Sequence, residues 1–129
     1  MTFVTALAPL DSSGALSIAF RGMKAEQLKG HLDLLLLAAL AKGPAHGYAL
    51  AESLRTTSNG ALDLAEGTLY PALHRLETAG ALGSRWATVG GRKRRVYALT
   101  ARGRKALARE TEGWRRFSAS IRSILEAPA

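Results

Sequence analysis

The chain has 129 residues and is 47% hydrophobic, enough for one modest core in a single domain. It has no cysteine, which excludes disulfides, a thiolate zinc site and a cysteine nucleophile, and fits a reducing, cytoplasmic setting. Its formal charge is +8, and the whole surplus lies in residues 65–129, which hold thirteen basic and five acidic groups. Residues 1–64 balance at five of each. Between Arg85 and Arg109 stand nine basic residues and no acidic one. A one-sided positive field favours a polyanion, nucleic acid or an anionic membrane. Solubility needs no such clustering, so nucleic acid is the expected partner. No apolar run reaches ~18 residues, so no membrane-spanning helix is expected.

Residues 1–22 break any helical period with Pro9 and Asp11-Ser12-Ser13-Gly14, and read as a poorly ordered extension. Their first basic residue is Arg21, which argues against a signal peptide. Met23 stands just before the patterned chain. It is the expected physiological start; a genuine, poorly ordered arm is the alternative. Leu32 to Ala41 is a run of leucine and alanine without β-branching, which predicts a helix. Its start falls near Gly30 or His31, and Gly43-Pro44 ends it. The run is apolar nearly all round and needs cover on more than one side. A second subunit is the expected cover, with Leu34, Leu35 and Leu37 at the interface.

His46 to Arg55 reads as a short second helix with Leu50 and Leu54 inward. His46 and Tyr48 open it and are expected to cap and pack. Thr56 to Gly60 is a loop, and the alternating Leu62-Asp63-Leu64 suits a short strand. From Ala65 to Gly80 the apolar residues Leu69, Ala72, Leu73, Leu76 and Ala79 recur at helical spacing, so one face docks on a core. The other face carries Gly67, Tyr70, Pro71, His74 and Thr78, edged by Thr68 and Arg75. Gly80 stops the helix as a left-handed cap.

Leu82–Val89 and Arg94–Leu99 are β-prone runs around Gly90-Gly91, which predicts a hairpin. Arg92, Lys93, Arg94 and Arg95 are expected at or just after that turn, giving a cationic hairpin tip, and Trp86 is expected to pack within the hairpin. Thr100 then caps a long helix from Ala101 to about Glu126. Leu107, Thr111, Trp114, Phe117, Ser118, Ile121, Ile124 and Leu125 form its stripe, with no later element to cover it. The simplest cover is the same stripe, plus the first helix, of a second copy.

The fold expected is therefore mainly α with a small β-hairpin. Residues 23–100 form a winged helix-turn-helix DNA-binding domain, and 101–129 a C-terminal dimerisation helix. The recognition helix is the Ala65–Gly80 stretch. Gly67 permits close approach to phosphate beside helix-terminal N–H groups, and Thr68 and Tyr70 can donate to phosphate or base edges. Pro71 and His74 complete that face, and Arg75 is either a phosphate contact or a solvated charge. Arg92, Lys93, Arg94 and Arg95 are candidates for phosphate or minor-groove contact. Lys24 and Lys29 are weaker ones. Two dyad-related recognition helices would read an inverted repeat.

Four motifs carry a resemblance. They are Leu28 to Leu37, Gly43-Pro44-Ala45-His46-Gly47-Tyr48, Glu66 to Glu77, and Gly91 to Gly103. In this order they resemble the PadR family of bacterial transcriptional regulators, and the single C-terminal helix is similar to its short subfamily. The resemblance covers Met23 to Leu125. It implies a winged-helix homodimer whose first and last helices intertwine, usually a repressor, with small planar aromatic effectors bound near the dimer interface. His31 stands where the family often has threonine or serine. Trp114 suits either the wall of such a ligand pocket or the core of the interface.

The alternative function is a winged-helix adaptor that binds protein without reading DNA. An enzyme is not expected, for want of a nucleophile–base pair, paired catalytic carboxylates or a phosphate loop. His31, His46 and His74 lack metal-ligand spacing, so no metal or cofactor is expected.

Overall fold

A computed structural model describes residues 25–129. The expectations for residues 1–22, for Met23 and for Lys24 lie outside the described residues, as does the side chain of Lys29. Helix α1 spans Ala25–Leu40, α2 spans Gly47–Thr57, α3 spans Glu66–Thr78 and α4 spans Ala101–Leu125. Strands β1 (Ala45–His46), β2 (Leu82–Val89) and β3 (Arg92–Leu99) form one antiparallel sheet in the order β1-β3-β2. This is the helix-turn-helix with a wing that the periodicity predicts.

Two local expectations are corrected. Helix α1 is already under way at Ala25, so Gly30 and His31 lie inside it and cap nothing. Glu26, Gln27 and Leu28 are good helix formers, and one interior glycine costs only about 1 kcal/mol. The segment Leu62-Asp63-Leu64 is not a strand. Its alternation is one of burial: Leu62 and Leu64 enter the core and Asp63 stays out. The third strand is instead Ala45–His46, which pairs with Tyr97 and Val96 on β3.

The core gathers Leu32, Leu36, Leu37 and Leu40 of α1, Leu50 and Leu54 of α2, and Leu69, Ala72, Leu73 and Leu76 of α3. Leu82 and Tyr97 close it from the sheet. Helix α3 ends in a Schellman motif: Ala81 N–H donates to the Leu76 carbonyl and Gly80 N–H to that of Glu77, with Gly80 at φ +85°. Gly90 and Gly91 both have positive φ, as a two-residue type I′ hairpin turn requires.

Thr100 joins three elements. Its Oγ1 accepts from Gly103 N–H at 3.0 Å, capping α4, and donates to the Gly80 carbonyl at 2.6 Å. Helix α4 thus leaves the base of the wing beside the end of α3. It runs for 25 residues, about 37 Å, and packs along α1. Gly103 makes the crossing possible, because a Cβ there would lie 2.1 Å from the Ala81 carbonyl oxygen.

Candidate nucleic-acid interface

Helix α3 buries one face and presents the other. Leu69, Ala72, Leu73 and Leu76 are covered, while Gly67, Thr68, Tyr70, Pro71, His74, Arg75 and Thr78 are exposed. Every residue expected on the reading face is therefore on the surface. The helix starts without a side-chain cap, since Ala65 has none to offer. The first backbone donors to close are Thr68 and Leu69, both onto the Ala65 carbonyl, which leaves the N–H groups of Glu66 and Gly67 ahead of the ladder. That end favours an anion. Glu66 already places a carboxylate in this first turn. Pro71 supplies no N–H, so the Gly67 carbonyl lacks its usual helical donor.

Tyr70 is both packed and available. It is 42% exposed, yet its ring lies against Gly47, where a Cβ would come within 2.3 Å of the hydroxyl. Gly47 at the start of α2 thus lets the two helices of the turn approach. Next to it, Tyr48 is 65% exposed, so the expectation that it packs is corrected. The inward positions of α2 are Gly47, Leu50 and Leu54, and that phase turns residue 48 outward. His46 does cap α2: its Nδ1 accepts from Ala49 N–H at 3.3 Å. Burial first, and then the Arg94 guanidinium, hold its pKa below the ordinary value.

The wing carries its cations just after the turn. Its tip is Gly90-Gly91, and all four cations lie on β3. Their cross-strand partners are Val89 for Arg92, Thr88 for Lys93, Ala87 for Arg94 and Trp86 for Arg95. Strand alternation puts Arg92 and Arg94 on one face, together with Arg85 of β2, and Lys93 and Arg95 on the other. Arg85 was not among the expected contacts; the hairpin register reveals it.

Arg95 is occupied within the chain. Its Nε donates to Ser84 Oγ at 2.9 Å, its terminal nitrogen lies 3.8 Å from Glu77 Oε2, and its guanidinium lies 5.3 Å from the Trp86 ring centroid. Trp86 is otherwise open, at 60% exposure, rather than enclosed in the wing. Arg75 is likewise paired, with Asp33 of α1. Tyr97, beneath the wing, has its pKa raised, first by burial and then by the Glu77 carboxylate.

Residues 36–109, more than half of the chain, match the family model described as the transcriptional regulator PadR-like family. The chain belongs to this family. It is a PadR-like transcriptional regulator. It is similar to the transcriptional regulator Rv3488 of Mycobacterium tuberculosis, at 41% identity over 92 residues that cover 71% of this chain and 80% of the relative. Among solved structures it is similar to a PadR family transcriptional regulator from Eggerthella lenta, at 31% identity and a TM-score of 0.68, covering 80% of this chain and 88% of that one. A transcriptional regulator from Clostridium thermocellum aligns with a TM-score of 0.73 at 25% identity, over 79% of this chain and all of that one. Regulators of the PadR family bind DNA, which fits the polyanion preference of the charge distribution.

In this PadR-like chain the terminal helices leave an apolar surface. Trp114 (44% exposed), Phe117 (54%), Ile121 (39%), Ile124 (75%) and Leu125 (77%) line one side of α4. Trp114 meets His31 of α1 edge to face, with centroids 5.2 Å apart, and lies 6.1 Å from Phe117. Leu34 and Leu35 are half-covered, and Leu107 packs against the chain's own core. Leu37 is corrected as an interface residue: it is 1% exposed inside a single chain. A run of four leucines has no phase of its own, and packing turns Leu36 and Leu37 inward. No helix among the described residues is long and apolar enough to cross a membrane.

Proposed function

We propose that this PadR-like regulator works as a homodimer that binds an inverted-repeat operator and represses transcription from it. The observation that carries the reading is the exposed face of α3, flanked by a basic wing. Gly67, Thr68, Tyr70, Pro71 and His74 enter the major groove, where Thr68, Tyr70 and His74 have donors and acceptors for base edges. Arg92, Lys93 and Arg94 hold the adjoining backbone and set affinity more than sequence choice.

Pairing runs through α4 and the outer side of α1. Residues 23–100 form the DNA-binding unit, and α4 the dimerisation element. The uncovered row Trp114, Phe117, Ile121, Ile124 and Leu125 supports this, since a lone chain gains by hiding it. A dyad then sets the two recognition helices about 34–36 Å apart, one turn of duplex. Trp114 offers a flat aromatic wall at the pairing surface, which suits a small planar aromatic effector. By shifting the two subunits, such a ligand would change the helix spacing and release the operator.

Selection from random-sequence DNA tests the proposal. The expected product is a pseudo-palindrome whose half-site centres lie about 10 base pairs apart. Recovery of unrelated sequences at every salt concentration would overturn it.

A further inference from the structure

Two arginines beside the reading face look like phosphate contacts by charge alone, yet each is held by a carboxylate of this chain. Arg75 reaches out from α3 to Asp33 of α1. Arg95 reaches back from β3 to Glu77 of α3, 3.8 Å away, and to Ser84 Oγ of β2 at 2.9 Å. Ser84 donates in turn to Glu77 Oε2 at 2.6 Å, so one carboxylate gathers both strands of the wing. The guanidinium also covers Trp86. Arg75 and Glu77 are two residues apart, about 200° around the helix. The ties therefore leave α3 in opposite directions, one toward the helical body and one toward the wing.

We propose that Arg75 and Arg95 are positioning residues: the Asp33–Arg75 and Glu77–Arg95 pairs brace the recognition helix from two sides and fix its angle to α1 and to the wing. Neither guanidinium spends its charge on phosphate. Exposed pairs of this kind add little to global stability. Their effect lies in orientation, since a reading helix must meet both half-sites at once. Asp33 is two residues from His31, which touches Trp114. The same stretch of α1 therefore joins the pairing surface to the reading helix. The inference rests on the DNA-reading role proposed above.

The sign of one substitution separates a brace from a phosphate contact. If Arg75 binds phosphate, Asp33→Asn removes a competitor and tightens binding. If the pair is a brace, Asp33→Asn weakens it. The test titrates the DNA selected by the wild-type protein with Asp33→Asn, Arg75→Gln and the exchanged pair Asp33→Arg with Arg75→Asp, at several salt concentrations. The expected result is about threefold to tenfold weaker binding for each single variant. The salt dependence stays unchanged, and the exchanged pair recovers affinity. Tighter binding by Asp33→Asn would overturn the proposal. So would a shallower salt slope for Arg75→Gln, or an exchanged pair no better than Arg75→Gln.

A second measurement needs no DNA. Amide hydrogen exchange in α3 and the hairpin of the free protein is expected to quicken in Glu77→Gln and in Asp33→Asn. Unchanged exchange in both would overturn the brace even where operator binding holds, and quickened exchange without any operator binding would leave the brace standing while the DNA reading fails.

Discussion

Removing two side chains from the uncovered row of α4 tests the pairing surface quantitatively. Phe117 is 54% exposed and Ile121 39% exposed in a single chain. Covering a side chain of this class completely stabilises by about 1.5–3 kcal/mol, so roughly half of that is still unrealised at each position. The two positions together hold about 2 kcal/mol per chain, and twofold symmetry doubles it to about 4 kcal/mol. Phe117→Ala combined with Ile121→Ala is therefore expected to raise the dimer dissociation constant about a thousandfold. The helix should survive, because alanine is the best helix former and neither side chain is buried in the chain's own core. Sedimentation equilibrium across nanomolar to millimolar concentrations gives the constant, and far-ultraviolet circular dichroism checks the helix. A double variant that dissociates at the wild-type concentration would refute the reasoning, as would a wild-type protein that is monomeric throughout.

Three further outcomes follow from particular side chains. Gly103→Ala places a Cβ 2.1 Å from the Ala81 carbonyl oxygen, and urea unfolding should show a destabilisation of about 1–3 kcal/mol or more. His46 keeps Nδ1 on Ala49 N–H only while neutral, and its folded pKa lies below 6.5. The unfolded chain takes up that proton first, so the stability His46 contributes is full above its ordinary pKa and falls away as pH drops through the lowered one. His46→Asn retains a capping acceptor and should flatten this part of the stability profile below the ordinary histidine pKa, whereas His46→Ala should cost about 1 kcal/mol at neutral pH. Changing Arg92, Lys93 and Arg94 to glutamine should make the salt dependence of operator binding shallower by about 5 in log–log slope for a dimer, near 0.9 for each phosphate no longer neutralised.

The sequence discloses what is local and hides what is not. The Leu69, Ala72, Leu73 and Leu76 stripe of α3, the Gly80 cap, the Gly90-Gly91 turn and the Thr100 cap each depend on neighbours within a few residues, and each stands where periodicity and capping chemistry place it, whereas Ala79, expected to continue the stripe, is the exposed C-cap. Strand β1 is only two residues long and exists because β3, some fifty residues later, offers an edge. No pattern in Ala45-His46 announces that. Leu37 lies in a uniformly apolar run, so only tertiary packing decides which leucines face inward. Arg75 and Arg95 show the same limit at the candidate interface. Their charge is plain in the chain, but their partners Asp33 and Glu77 lie 42 and 18 residues away. Tyr48 and Arg85 were open to inference: the phase of α2 turns the first outward, and the register of the hairpin puts the second beside Arg94.

How the protein sits on the operator it selects tests the central claim most directly. Hydroxyl-radical footprinting of the DNA selected by the wild-type protein should show two protected patches, related by a dyad and one helical turn apart, which fade together as Thr68→Ala and His74→Ala are combined. A single unpaired patch, or full cleavage at every position in dilute buffer, would contradict it.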